Sequence, residues 1–324
     1  MMKKTRMLSS LLAGLIGVCL PFAGSAQAND FPSKPINLIV GFPPGGGADV
    51  LARTVAPKLE KALGTPIVVE NRPGASGVIA TAATARANSD GYTLYVATPG
   101  SLTMLPSMQE TPYDPAEFTA VSLMVTMPNV LVTSAKSEIN SVEDLIRKAS
   151  SGDVNYASGG NGTIGQMAGE LFNMLAGVKM RHIPYRGTSP ALVDVASGIS
   201  DVIFSDPSTK ALISGGKLKA LAVTSLTPSP DFPGVPTLDE AGVKGFEVVN
   251  WYGMIGPKGM PEAVVAKLNA ALVKIMADED VVKALAAQGG MTATSSTPEE
   301  FAKLMASERA KWADLIKKAN IKLE

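Results

Sequence analysis

The sequence predicts an α/β protein of two lobes, each an open, mostly parallel sheet flanked by helices. Three observations carry this expectation. Short apolar runs alternate with amphipathic stretches along most of the chain, the rhythm of βαβ units. Several runs, such as Leu38-Ile39-Val40, lack the apolar–polar alternation of a half-exposed strand, as expected where helices cover both faces. At two places, residues 127–133 and 248–257, a strand-like run leaves one αβ set and enters another. Length agrees, because 324 residues leave room for two domains of about 150 residues each.

In chain order, strands are expected at 36–41, 67–70, 93–97, 130–133, 155–157, 180–183, 202–204 and 221–224. Helical patterns fall between them at 48–63, 78–87, 142–148, 165–175 and 190–197. Ser141 with Asp144 three residues on, and Thr297-Pro298-Glu299-Glu300, are capping-box patterns, the second with Pro in its first turn. Behind that second cap, Phe301, Leu304, Met305, Trp312, Leu315 and Ile316 share one helical face, so the last helix packs against the body. Two crossings assign residues 29–130 and 250–324 to the first lobe and 131–249 to the second, with hinges near 127–133 and 248–257. A Pro/Gly-rich stretch, 227–242, reads as a surface excursion.

Residues 1–28 read as a secretory signal peptide. Lys3, Lys4 and Arg6 precede an apolar run from Leu11 to Leu20, then Pro21 and the A-x-A site Ala26-Gln27-Ala28, which sets cleavage after Ala28. The run is shorter than the ~20 residues that a membrane span needs. Cleavage removes Cys19, the only cysteine, and leaves 26 basic against 29 acidic residues. Disulfides and thiolate chemistry are thereby excluded, and the compartment expected is a bacterial periplasm. The charge balance carries no basic excess, so no nucleic-acid partner is expected.

Five Gly- or hydroxyl-rich turns follow strands and precede helices: "GFPPGGGAD" (41–49), "NRPGASG" (71–77), "ATPGSL" (97–102), "YASGGNGTIGQ" (156–166) and "PYRGTSP" (184–190). Such turns aim backbone N–H groups and the positive helix end at an anion, at the strand ends where α/β sheets bind ligands. Phosphate fits poorly. Gly45-Gly46-Gly47 is not G-x-G-x-x-G, no Gly-Lys-Ser/Thr occurs, and Asp49 in the first helical turn would repel a pyrophosphate. Asp49 instead suits a turn cap, an ordered water, a ligand hydroxyl or an ammonium.

Catalytic signatures are weak. Gly74-Ala75-Ser76-Gly77-Val78 breaks the G-x-S-x-G elbow at its last position. His182 is the sole histidine and sits in a strand-like run, so neither a His-based triad nor a metal site is expected, and no cofactor. A hydrolase using a Ser–Lys pair or two carboxylates stays open as an alternative. Aromatic residues at 5% disfavour sugars. A donor-rich cleft for a small carboxylate remains. Helix N-termini supply about 0.3–1 kcal/mol each and at most ~2, against the roughly 8 kcal/mol of micromolar binding. Direct and water-mediated hydrogen bonds and lobe closure must therefore supply the rest.

The segments "FPSKPINLIVGFPPGGGADVLAR", "VVENRPGASGVIA", "YDPAEFTAV", "YASGGNGTIGQMAGELF", "HIPYRGTSPALVDVASG", "FPGVPTLDEAG", "WYGMIGPKGMPEAVVAKLN" and "STPEEFAKLMASERAKW" resemble, in order, the Bug-type (TctC-like) periplasmic receptors of tripartite tricarboxylate transporters. The resemblance implies a type II periplasmic-binding (Venus flytrap) fold that closes on an aliphatic or aromatic mono- or dicarboxylate as a monomer and passes it to membrane transporter subunits. It implies a first-lobe wall of Phe42, Gly46, Gly47, Asp49, Ser76 and the turn from Thr98 to Ser101. In the second lobe it implies Ser158, Gly162 and Thr163 at the carboxylate, with Thr188 nearby. Gln166 stands where the family often has His, Ser205 where it commonly has Asp, with Asp206 one step later, and Arg186 replaces a frequent Lys. The changes at 166 and 205–206 fall in the expected ligand wall, so the ligand's identity does not transfer, and Arg186 either reaches a second carboxylate or faces solvent. Trp251 and Tyr252 are expected as hinge packing, with a ligand role as the alternative if the ligand is aromatic. A sensory protein that hands its liganded state to a membrane receptor is an alternative the residues do not separate.

Overall fold

The computed structural model describes residues 31–206, 209–287 and 290–321, and the expected signal peptide lies outside them. The first lobe begins with β1 (Ile36–Val40), α1 (Gly47–Leu63), β2 (Ile67–Asn71), α2 (Val78–Ala85) and β3 (Thr93–Ala97). Strand β4 (Phe118–Pro128) carries the chain through Asn129 into β5 (Val130–Ser134) of the second lobe. There follow α3 (Val142–Ala149), β6 (Asn155–Ser158), α4 (Ile164–Ala176), β7 (Arg181–Pro184), α5 (Thr188–Ser197), β8 (Val202–Ser205), α6 (Lys210–Ser214) and β9 (Leu218–Val223). Strand β10 (Val249–Pro257) returns, and α7 (Glu262–Met276), α8 (Glu279–Ala287), β11 (Thr292–Ala293) and α9 (Pro298–Lys318) complete the chain.

The fold is α/β with one sheet per lobe, in the orders β11-β4-β10-β3-β1-β2 and β7-β6-β8-β5-β9. The sheets are mixed rather than mostly parallel. The β2-β1-β3 and β7-β6-β8 sets are parallel. The strands that carry the crossings pair antiparallel, β10 with β3 and β4, and β5 with β8 and β9. The reason is chain direction: β4 leaves the first lobe, β10 re-enters it, and the two run side by side in opposite senses. Their ladder carries register shifts at Tyr252/Gly253 and Met254/Ile255, where bulges bend the pair.

Local sequence explains where the helices start and stop. Helix α1 buries Leu51, Ala52, Val55, Ala56 and Leu59 as one stripe and stops at Gly64, in left-handed conformation, whose N–H bonds the Glu60 carbonyl at 2.8 Å. Both expected caps form: Ser141 Oγ accepts from Asp144 N–H, and Thr297 with Glu300 closes a reciprocal capping box.

Thr224 joins the crossings. Its hydroxyl accepts from Asn129 N–H (2.7 Å) and donates to the Val248 carbonyl (2.6 Å), while its own N–H bonds Asn129 O. Two expectations change here. Residues 227–242 are not only a surface excursion, because Phe232 and Leu238 bury in the second lobe's core. Of the described residues from 250 onward, the far part of α9 does not stay with the first lobe. Phe301 and Met305 of α9 pack beside Trp251 in a first-lobe cluster, whereas Trp312, Leu315 and Ile316 enter the second-lobe core with Leu131 and Phe172. One apolar stripe thus serves two cores, and α9 becomes a third link between the lobes. Gly253 permits its approach, because a Cβ there would lie 2.1 Å from Phe301 Cζ.

Candidate functional site

The lobes face each other across a cleft of about 230 Å³. Phe42, Ser76, Thr98, Pro99 and Gly100 form the first-lobe wall. Gly159, Gly162, Thr163, Ile164, Gly165, Thr188, Phe204, Ser205 and Asp206 form the second. The crossing strands add Asn129, Asn250 and Tyr252. All five Gly- or hydroxyl-rich turns therefore meet in one place.

The second-lobe wall is a pair of helix starts. Thr163 caps α4 and ties the preceding loop, its hydroxyl donating to the Gly160 carbonyl at 2.7 Å. Gly187 precedes α5 with no side-chain cap, and Thr188 is the first residue of that helix. The first-turn N–H groups of a helix have no intrahelical partner, and the dipole favours a negative group beside them. The two lobes are close at this point. Gly162 has a φ of +72°, which favours glycine, and a Cβ on it would lie 2.6 Å from Leu105 Cδ2 of the first lobe, so any larger residue must displace that side chain.

Three buried polar atoms in the cleft wall have no hydrogen-bond partner: Thr98 Oγ1, Asn129 Oδ1 and Ser205 Oγ. Their residues are 4%, 1% and 1% exposed. Leaving such a group unsatisfied costs about 1–3 kcal/mol, so three around one cleft mark a place suited to a polar ligand. Among the described residues, the lining contains no Lys, Arg or His, and Asp206 is its one carboxylate. Burial and then the negative charge of Asp206 push the Tyr252 phenol up, which keeps it a neutral hydroxyl.

Several expected site residues lie behind the wall instead. Asp49, 2% exposed, does not line the cleft. Its carboxylate accepts from Gly45 N–H (2.9 Å), Arg53 Nε (3.0 Å) and Asn71 Nδ2 (2.8 Å), so it holds the 41–49 turn in shape. Burial pushes its carboxyl up, but the bonds from Arg53, Gly45 and Asn71 outweigh this and hold it below the usual value. Gly46 and Gly47 start α1 outside the lining, Gly47 beneath the Tyr252 hydroxyl. Ser101 is buried under the first-lobe wall, where Thr81 donates to its Oγ at 2.9 Å. Gln166 uses Oε1 to accept from Gly162 N–H at 2.7 Å. Arg186 is exposed and outside the cleft lining.

Ser158 is fully buried and pairs with His182 Nε2 at 2.6 Å, behind the 158–163 loop. Burial lowers His182 to about 4, so the ring is neutral at neutral pH; it stacks on Tyr156 with centroids 4.9 Å apart. Sequence reasoning overlooked Asn129 and Asn250. Each interrupts an apolar run at a crossing, "MPNVLV" and "VVNWY", and that interruption was the available signal. Tyr252, expected as hinge packing, lines the cleft, whereas Trp251 packs edge-on against Phe301.

The family model described as tripartite tricarboxylate transporter family receptor (TctC) matches residues 51–321. Protein BugT of Bordetella pertussis is 37% identical over 97% of this chain and 98% of its own length. Among solved structures, the periplasmic binding protein BugD superposes with a TM-score of 0.77 at 34% identity, covering 91% of this chain and all of BugD. The R. palustris protein Rpa4515 with adipate superposes with a TM-score of 0.80 at 32% identity, covering 90% of this chain and 99% of that one. The chain therefore belongs to the tripartite tricarboxylate transporter receptor (TctC) family of periplasmic solute-binding proteins.

Proposed function

We propose that this protein captures a small organic carboxylate between its lobes and delivers it to the membrane subunits of a tripartite tricarboxylate transporter. It is exported by residues 1–28, cleaved after Ala28, and acts as a monomer without cofactor or catalysis. The carrying observation is the grouping of Thr98, Asn129 and Ser205, buried and unpartnered, around the cleft that the starts of α4 and α5 line. First-turn N–H groups and hydroxyls suit a carboxylate, and the adipate held by Rpa4515 supports that ligand class. Phe42, Ser76, Gly162, Thr163 and Thr188 contribute to the walls around it.

The place of the Ser–His pair supports holding rather than reacting. A nucleophile must reach the bound acyl group, and Ser158 is fully buried outside the cleft lining. A thermal-shift screen of residues 29–324 against aliphatic and aromatic acids tests the proposal. An acid at a hundredfold excess over its Kd is expected to stabilise the fold by about 2.7 kcal/mol and to be recovered unchanged. Absence of any shift across mono- and dicarboxylates would remove the proposal.

A further inference from the structure

The second-lobe loop carries a chemically labile pair. Asn161-Gly162 is the only Asn-Gly dipeptide in the sequence, and its glycine begins the four lining residues 162–165. Asparagine is among the thermolabile residues. Before glycine it is open to attack by its own backbone, because the next residue has no side chain to keep its amide nitrogen from the carboxamide. Asn161 does not line the ligand cleft. It is half-buried and faces a second cavity of about 230 Å³, together with Gln166, Glu170, His182 and the end of α9. Water therefore reaches its carboxamide from a space separate from the ligand's.

Gln166 restrains the reaction. The attacking nitrogen must first lose its proton, and Gly162 N–H instead donates to Gln166 Oε1 at 2.7 Å, within the buried wall. That bond keeps the proton on nitrogen. Neighbouring bonds fix the rest of the loop: Gly160 N–H donates to Ser158 Oγ at 3.1 Å, and Thr163 Oγ1 donates to the Gly160 carbonyl at 2.7 Å. Gln166 is thus the one side chain that holds the reacting atom itself.

We propose that Asn161 is a deamidation site whose rate is set by the Gln166 latch. With the latch open, Gly162 N gives up its proton and attacks Asn161 Cγ. The new N–Cγ bond closes a cyclic imide, the Cγ–Nδ2 bond breaks, and Nδ2 leaves as ammonia after taking up a proton. A solvent water then opens the imide at either carbonyl, which leaves aspartate or isoaspartate. The product carries a negative charge two residues before the Thr163 cap of α4. There it competes with a ligand carboxylate for the same positive helix end, so, resting on the proposed carboxylate site, a converted chain is a weaker receptor.

The test needs no acid, so its failure is separate from that of the carboxylate site. Residues 29–324 and the Gln166→Met variant, which lacks the acceptor oxygen, are incubated in mildly alkaline buffer. Peptide mapping by mass spectrometry follows amide-to-acid conversion at each asparagine. In the variant, conversion is expected at Asn161 ahead of Asn88 and Asn140, both exposed and both followed by serine. It should run about fivefold faster than at Asn161 of the wild type, the effect of one lost hydrogen bond. Should the variant fold poorly, the wild type in guanidinium chloride carries the same expectation: unfolding speeds Asn161 more than it speeds Asn88 and Asn140. Equal rates at Asn161 with and without the acceptor, equal acceleration of the three sites on unfolding, or no conversion at Asn161 overturns the proposal.

Discussion

The turn before α1 and the turn before α4 are built alike and do different things. In each, a polar side chain in the first helical turn reaches back four residues and accepts from a glycine N–H: Asp49 from Gly45, and Gln166 from Gly162. In the first turn the latch is a charged, fully engaged carboxylate, and the loop presents only Phe42 to the cleft. In the second the latch is neutral, and its loop supplies four consecutive lining residues, 162–165. A negative latch beside a carboxylate ligand would repel it. The acidic latch therefore belongs to the turn that stands back, and the amide to the turn that meets the ligand.

Breaking the charged latch should produce the largest effect, on stability. Asp49→Ala removes a buried carboxylate and the three hydrogen bonds it accepts, at a cost of about 3 kcal/mol; urea denaturation should show it while the Kd of the surviving fold changes less than about threefold. The acid limb sharpens the point. Because the folded Asp49 carboxyl is held below its ordinary value of 3.8, its contribution is present above that value and lost as pH falls through the folded one. The variant should lose less stability than wild type on acidification below about pH 4.

Adding one methyl to each glycine turn separates closure from folding. Gly162→Ala drives a Cβ toward Leu105 and should weaken binding about thirtyfold, or ~2 kcal/mol, with part of the affinity restored by adding Leu105→Ala. Gly45→Ala, at φ +85° with nothing within 4 Å of the new atom, should cost only backbone strain, about 1–2 kcal/mol of stability. Equal losses of affinity in the two variants would contradict the division of roles. Gln166→Ala should loosen the second turn and weaken binding about fivefold, close to 1 kcal/mol, with a smaller loss of stability than Asp49→Ala.

The smallest effect concerns the support behind the second turn. His182 is held near 4 by burial, so unfolding takes up a proton between pH 6.5 and about 4, and stability falls as pH falls through that window. His182→Gln should flatten this dependence, by less than about 1 kcal/mol at pH 5.5 given partial exposure. Denaturation midpoints across pH 4–7 check it.

The five turns were legible because strand, glycine and helix signals are local. The direction of a first-turn side chain is not local: the resemblance put Asp49 and Gln166 in the ligand wall, and a carboxylate oxygen of Asp49, as in its turn-cap reading, and the amide oxygen of Gln166 instead turn back on the chain. The double role of α9 was hidden for a similar reason. One apolar stripe, from Phe301 to Ile316, predicts burial but not that its two halves enter two cores. The mixed sheets depend on which way β4 and β10 run between lobes, which no residue pattern encodes. Asn129 became a cleft residue only when β5 and β8 paired.

The central claim is that the cleft binds a carboxylate by closing on it. Calorimetric titration of residues 29–324 and of the Gly162→Ala variant, with the acid giving the largest thermal shift, tests this most directly. The account predicts one acid per chain, recovered unaltered, and about thirtyfold weaker binding in the variant. Undiminished affinity in Gly162→Ala, or chemical conversion of the acid by the wild-type chain, would contradict it.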